Sequence, residues 1–191
     1  MGKTTNSLEL VVKNYFDNKE DLQYSINEVF NFHNKILHDL FKEDNHQIFS
    51  EVNEIFENLR IFLKRNKSPD YSFVYDQVVS FGEILSTKII NSYLNYSSIP
   101  CNWVDARILI KTDSKYRDAN LNWEFTKTSI YNNINTKLLN ITQGFIASDA
   151  NNFSTTLGRE GSDYTAAIFA YCLNAESVTI WKDVPGVLNA D

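Results

Sequence analysis

Leu139-Asn140-Ile141-Thr142-Gln143-Gly144-Phe145-Ile146 is a short, mostly apolar run that predicts a β-strand. Two similar runs precede it, Cys101-Asn102-Trp103-Val104 and Arg107-Ile108-Leu109-Ile110-Lys111, and Ser177-Val178-Thr179-Ile180-Trp181 follows as a strand ending in a turn around Pro185-Gly186. Between the second and third runs lie a polar stretch from Thr112 to Asn122 and a weaker helical pattern through Ile130, Ile134 and Leu138. A last helix is expected from about Ser162 to Asn174. Strands that alternate with helices predict an α/β fold, with a mostly parallel sheet covered on both faces.

The half before Pro100 reads differently. After Gly2 no glycine occurs until Gly82, and apolar residues recur at helical spacing. Leu8, Val11, Val12, Tyr15 and Phe16 mark a first helix; Leu22, Ile26, Val29, Phe30, Leu37, Leu40 and Phe41 mark a second. Ile48, Val52, Ile55, Phe56, Leu59, Phe62 and Leu63 mark a third, and a fourth, opening at Ser68-Pro69, carries Val74, Val78, Phe81, Leu85 and Ile89. The chain is expected to be one partial domain, mainly helical over 1–100 and strand-rich over 101–191. It opens into a helix and stops after a turn, so the sheet is expected to be incomplete at both ends.

With 191 residues, 43% hydrophobic and 14% aromatic, the chain has enough apolar side chain to bury a core. A net charge of −6 argues against a nucleic-acid partner, which needs a positive field facing its phosphates. No apolar run is long enough for a membrane span. Cys101 and Cys172 form neither a CxxC pair nor a disulfide framework, and His33, His38 and His46 have no partner at a metal-ligand interval. A reducing compartment, the cytoplasm, is expected, with no protein-bound metal.

Three segments could carry chemistry. In Thr155-Thr156-Leu157-Gly158-Arg159-Glu160-Gly161-Ser162-Asp163-Tyr164-Thr165-Ala166-Ala167, two glycines permit close backbone approach and Ser162-Asp163 opens a helix whose free N–H groups can hold an anion. Arg159 can grip a carboxylate through two parallel hydrogen bonds, although a plain glycine loop with a surface arginine fits the same residues. Gly82 and Glu83 interrupt an apolar helix; by themselves they favour a helix contact at Gly82 with Glu83 facing solvent. Gly2-Lys3-Thr4 lacks the rest of a P-loop and reads as a polar lead-in, capping the first helix through Thr5 or Asn6.

Taken in order, Gly2 to Asn6, Ser80 to Thr87, Ile141 to Ile146 with Thr155 to Ala167, and Ile180 to Gly186 resemble the aspartate kinases of the amino-acid kinase family. T-Q-G-F-I, T-T-L-G-R-x-G-S-D-Y-T-A-A and I-W-x-D-V-P-G-V are close to that family's signatures, and the resemblance extends over essentially the whole chain. It implies a three-layer αβα amino-acid-kinase fold, similar to carbamate kinase. It implies transfer of the γ-phosphoryl group of ATP to the β-carboxylate of L-aspartate, giving 4-phospho-L-aspartate, the first step toward lysine, threonine and methionine. The implied partners are L-aspartate and ATP, with Mg2+ held mainly through the ATP phosphates, and the full-length enzyme is expected to be a homo-oligomer.

Carried over by position, Thr5, Glu83, Arg159 and Ser162 would bind aspartate, with Arg159 on a carboxylate and Glu83 on the ammonium group. Ser162 and Asp163 would act at the catalytic centre, and Trp181, Lys182, Asp183 and Gly186 would border the nucleotide. The loop with Asp113, Lys115 and Arg117 resembles the family's segment over the active site, and a mobile lid is one expectation for it. The departures are clear. The family's opening strand with K-F-G-G-T does not occur here, its ACT domains would lie beyond Asp191, and Lys182 and Leu188 stand where many members have Thr and Tyr. The resemblance therefore implies a piece of the enzyme whose activity alone is doubtful. Two rival readings are a non-catalytic protein that binds an acidic amino acid or a partner, and another amino-acid kinase. Arg159 with Glu83 ask for a substrate bearing both a carboxylate and an ammonium group.

Overall fold

The computed structural model describes residues 2–43 and 45–182. Its first half holds four helices, α1 (Thr4–Asp17), α2 (Lys19–Leu40), α3 (Gln47–Arg65) and α4 (Tyr71–Tyr96). Their apolar stripes meet in one core: Leu8, Val11 and Val12 of α1, Ile26, Val29 and Leu37 of α2, Ile48, Val52, Phe56 and Leu59 of α3, and Val74, Val78, Leu85 and Ile89 of α4 are all buried. Removing this much aliphatic surface from water is the main force that fixes the half-molecule, at roughly 1.5–3 kcal/mol for each large side chain fully buried.

Two helix starts differ from the sequence expectation. α4 opens at Tyr71, because the Asp70 carboxylate accepts from the backbone of Ser72 (2.8 Å) and Phe73 (3.3 Å) and so satisfies two free donors of the first turn. Ser68 instead caps the preceding turn by accepting from Asp70 N. α1 begins at Thr4, after a left-handed Lys3, with no side-chain cap. Thr5 and Asn6 therefore lie inside its first turn instead of capping it.

Gly82 sits where α1 crosses α4. A Cβ there would stand 2.9 Å from Leu8 Cδ1 and 3.0 Å from Thr4 Cγ2, so only a bare backbone lets the helices approach this closely. Gly82→Ala gains up to ~1 kcal/mol of helix propensity. It also overpacks a junction in which Thr4 is stiff at χ1, a change that typically costs ~1–3 kcal/mol. The variant should unfold at a lower temperature in a calorimetric scan; an unchanged or raised midpoint would contradict the close packing.

The second half comprises β1 (Cys101–Trp103), α5 (Ala106–Leu109), α6 (Trp123–Asn133), β2 (Leu139–Ile141), β3 (Ile146–Ser148), β4 (Ser154–Thr156) and α7 (Gly161–Leu173). β1 and β2 pair in parallel, with Cys101 opposite Leu139 and Trp103 opposite Ile141. β3 and β4 form an antiparallel hairpin, Ile146 opposite Thr156, and a parallel bridge joins Lys111 to Ser148.

Arg107 to Lys111 is not a strand. Asp105 accepts from Arg107 N at 3.0 Å and starts the short helix α5, which buries Ala106 and Leu109; only Lys111 reaches the sheet. Leu139 to Ile146 is not continuous either. Gln143 turns out of the strand line to accept from Ala106 N (2.8 Å) and donate to Thr87 Oγ1 (2.8 Å), and the backbone passes through a left-handed Phe145 before β3. α6 ends at Asn133, so Ile134 lies at its C-cap and Leu138 beyond it. Ser177 to Trp181 forms no strand. Val178 and Ile180 are exposed and no described residue pairs with their backbone, which leaves a strand pattern without the neighbour a strand needs. The turn expected around Pro185-Gly186 lies outside the described residues. Among the described residues no helix is long and apolar enough to cross a membrane.

Candidate active site

The first turn of α1, the middle of α4, the tip of the Thr112–Leu121 loop, the Phe145 turn and the start of α7 surround an open cleft of about 450 Å3. Thr5, Tyr75, Glu83, Arg117, Arg159 and Ser162 line it, together with Phe145 and the backbone around Gly158 and Gly161. Four residues singled out by the sequence, Thr5, Glu83, Arg159 and Ser162, thus meet in one place.

Each is positioned by a local cause. The α1–α4 contact at Gly82 sets the first turn of α1 beside the residue after the glycine, so Thr5 and Glu83 share a wall. Glu83 is half-buried there instead of facing open solvent. Burial pushes its carboxyl above the usual carboxylate range, and it makes no hydrogen bond or ion pair with any other described residue. Gly158 turns the chain at φ +76°, where a Cβ would stand 2.9 Å from Asp118 Oδ1. That turn presents Arg159 at the cleft, exposed and with its guanidinium unpaired among the described residues. Ser162, in the first turn of α7, brings a hydroxyl and the positive end of a helix dipole.

Asp163, Trp181 and Lys182 do not line the cleft. The Lys182 ammonium bridges Asp163 and Glu160, each at 2.5 Å, and these two carboxylates push its pKa up to about 12. The chain after α7 is thereby tied back to the helix start. Trp181 beside it is 91% exposed. Asp183 and Gly186 lie outside the described residues.

Three residues were not assigned from sequence. Asp76 of α4 is fully buried and accepts from Thr156 N (2.8 Å), Thr156 Oγ1 (2.8 Å) and Arg117 N (2.9 Å), joining helix, hairpin and loop. Burial pushes its pKa up to about 6 despite the hydrogen bonds that pull it down. Arg117, at φ 70°, lays its guanidinium 4.5 Å over the ring of Tyr75, and Tyr75 donates its hydroxyl to Glu9 at 2.8 Å. The loop is fastened further by Ala119 N to Thr156 O (3.0 Å), by Thr112 Oγ1 to Thr155 Oγ1 (2.7 Å), and by Ser114 and Tyr116 donating to Asp149. The available signal was Asp76-Gln77 inside the apolar run Val74 to Val79, since a carboxylate at a core position requires donors.

The cleft can hold a small zwitterion: guanidinium groups for carboxylates, the Glu83 carboxylate for an ammonium, and a helix start for an anion.

The sequence model of the amino acid kinase family matches residues 13–191. The chain is 34% identical over 148 residues to the lysine-sensitive aspartokinase 3 of Escherichia coli K12, covering 75% of this chain and 33% of that protein. It is 31% identical over 201 residues to the chloroplastic bifunctional aspartokinase/homoserine dehydrogenase 2 of Zea mays, covering 100% of this chain and 22% of that protein. The solved structure of E. coli aspartokinase III in complex with aspartate and ADP superposes with a TM-score of 0.86 at 30% identity, covering 97% of this chain and 41% of that one. The same enzyme in complex with lysine and aspartate gives a TM-score of 0.87 at 29% identity, covering 98% of this chain and 42% of that one. The chain thus spans a third or less of the length of these two curated relatives.

Proposed function

Because the chain belongs to the amino acid kinase family and has its fold, we propose that it carries the L-aspartate site of an aspartate kinase, which transfers the γ-phosphoryl group of ATP to the β-carboxylate of L-aspartate. The observation that carries this reading is the cleft in which the Glu83 carboxylate, without a side-chain partner among the described residues, faces the same space as Arg159 and the first turn of α7. Arg159 grips a substrate carboxylate with its planar fork, Glu83 receives the ammonium group, and Thr5 and Ser162 supply hydroxyls to the remaining oxygens.

The chemistry asks little else of the protein. The attacking group is already a carboxylate at neutral pH, so no general base is needed. A β-carboxylate oxygen forms the new bond to phosphorus while the bond to the β–γ bridging oxygen breaks, leaving 4-phospho-L-aspartate and ADP. Alignment and neutralisation of charge on the moving group then carry the rate. Ser162 and the N–H groups of the first turn of α7 serve that need, and Asp163, held by Lys182, orders the turn. Trp181, Lys182, Asp183 and Gly186 form the nucleotide side of this reading. Mg2+ arrives on the ATP phosphates. Among the described residues no group of three His, Cys, Asp or Glu side chains comes together to hold it directly.

Hydroxylamine trapping tests the transfer. In an aspartate kinase that carries this segment, incubation with ATP, Mg2+, L-aspartate and hydroxylamine should yield aspartyl hydroxamate that depends on all four. A second reading is favoured by the chain's covering a third or less of these relatives: binding of an acidic amino acid without catalysis. Saturable L-aspartate binding with no hydroxamate supports that second reading and overturns the catalytic one.

A further inference from the structure

We propose that Arg117 is a further substrate-binding residue, which holds the second carboxylate of the acidic amino acid and sets the preference for L-aspartate over its side-chain amide. The inference rests on reading the cleft as the L-aspartate site. L-Aspartate carries one ammonium and two carboxylates, so a second cation in the cleft is a charge partner for the carboxylate that Arg159 does not hold, beside the hydroxyls of Thr5 and Ser162. Glu83 is the anion and Arg159 one cation. Of the remaining charged residues that line the cleft, Glu160 is taken up by Lys182 at 2.5 Å. Arg117 is left, with a guanidinium that makes no hydrogen bond or ion pair with any described residue.

Arg117 is held as a binding group is held. Its backbone N–H donates to the buried Asp76 at 2.9 Å, which fixes the left-handed turn that aims the residue. Its guanidinium lies 4.5 Å over Tyr75, and Tyr75 is itself buried and tied to Glu9. The ring holds the guanidinium from one side without taking up any of its N–H donors, which stay available for a planar oxyanion. Because the side chain is restrained before the ligand arrives, less entropy is lost on binding. An edge of N–H donors also rejects an amide, whose own NH2 would meet donors and leave them unpaired.

Calorimetric titrations of the 191-residue chain with L-aspartate, L-asparagine and ADP test the proposal. The unmodified chain should prefer L-aspartate to L-asparagine by ~10-fold or more, and Arg117→Ala should bring the two affinities together by weakening L-aspartate alone. ADP binding should stay as it was, and the unfolding temperature should fall only by the small amount that losing one exposed cation–π contact brings. Arg117→Lys, which keeps the charge without the fork, should fall between. Retention of the preference in Arg117→Ala overturns the proposal, as does a loss confined to ADP, which would make the bound anion a phosphate. If the unmodified chain binds neither amino acid, the L-aspartate reading itself fails and the inference falls with it.

Discussion

Replacing Arg159 by alanine should weaken L-aspartate binding by a factor on the order of 10² or more, because two charge-assisted hydrogen bonds of roughly 1.5–3 kcal/mol each are lost together. Arg159→Lys should recover only part of this, since an ammonium cannot reproduce the two parallel bonds of the fork. Stability should not change. Arg159 is exposed and unpaired among the described residues, so nothing in the folded chain depends on its side chain. In an active enzyme the Michaelis constant for aspartate should rise far more than that for ATP. Equal losses for both ligands, or a fall in the unfolding temperature, would contradict the assignment.

Replacing Asp76 by alanine should be the most damaging change to the fold. It strips the partner from two backbone N–H groups and one hydroxyl at a site with no solvent exposure. Each buried donor left without a partner costs about 1–3 kcal/mol, so the three together take a large share of the ~5–15 kcal/mol available to a domain. At ~2–4 °C per kcal/mol for a chain of this size, the unfolding midpoint should drop on the order of 10 °C. The Thr112–Leu121 loop loses its tether at Arg117, so L-aspartate affinity should fall as well. Asp76→Asn keeps all three partners if the Thr156 hydroxyl turns to accept from the amide, and should be far milder.

The two variants also separate the charge from the geometry. The folded-state pKa of Asp76 is raised, from 3.8 to about 6, so the native chain holds this proton more tightly than the unfolded one. Its contribution to stability is therefore fullest below about pH 4 and is lost as pH rises through about 6, a difference on the order of 3 kcal/mol. Urea titrations from pH 4.5 to 7 should show the unmodified chain gaining on Asp76→Asn as the solution is acidified. A constant gap between them would show that the carboxyl does not titrate in this window.

The helices were legible because a stripe repeated over four turns leaves little choice of period, as Ile48, Val52, Ile55, Phe56, Leu59 and Leu63 show. The strands were less so. At three residues each, β1 to β4 carry almost no period of their own. Ile108-Leu109-Ile110 looks like a strand until the Asp105 side chain takes the first helical N–H. Ser177 to Trp181 has the composition of a strand, yet pairing is a property of the neighbour, which no local pattern contains. At the cleft, Gly82-Glu83 and Gly158-Arg159 stood out as charges beside glycines. The residues alone left Glu83 facing solvent and Arg159 equally well a plain surface arginine, and only the resemblance placed them at a substrate. Arg117 was placed over the site by resemblance but without a role, and Tyr75 and Asp76 not at all, because their roles arise from contacts between residues far apart in sequence, such as Asp76 with Thr156. The buried acid in an apolar helix marked that something must reach it, without saying what.

L-Aspartate is proposed to enter the cleft between α1, α4 and α7 and to be held there by Glu83 and Arg159. Titration of L-aspartate into the unmodified chain, followed through the backbone amide resonances, tests it most directly. The predicted result is saturable shifts concentrated at Thr5, Glu83, Arg159 and Ser162, lost in Arg159→Ala. No shift at those residues, or shifts confined to the aromatic surface at Trp123 and Tyr171, would contradict it.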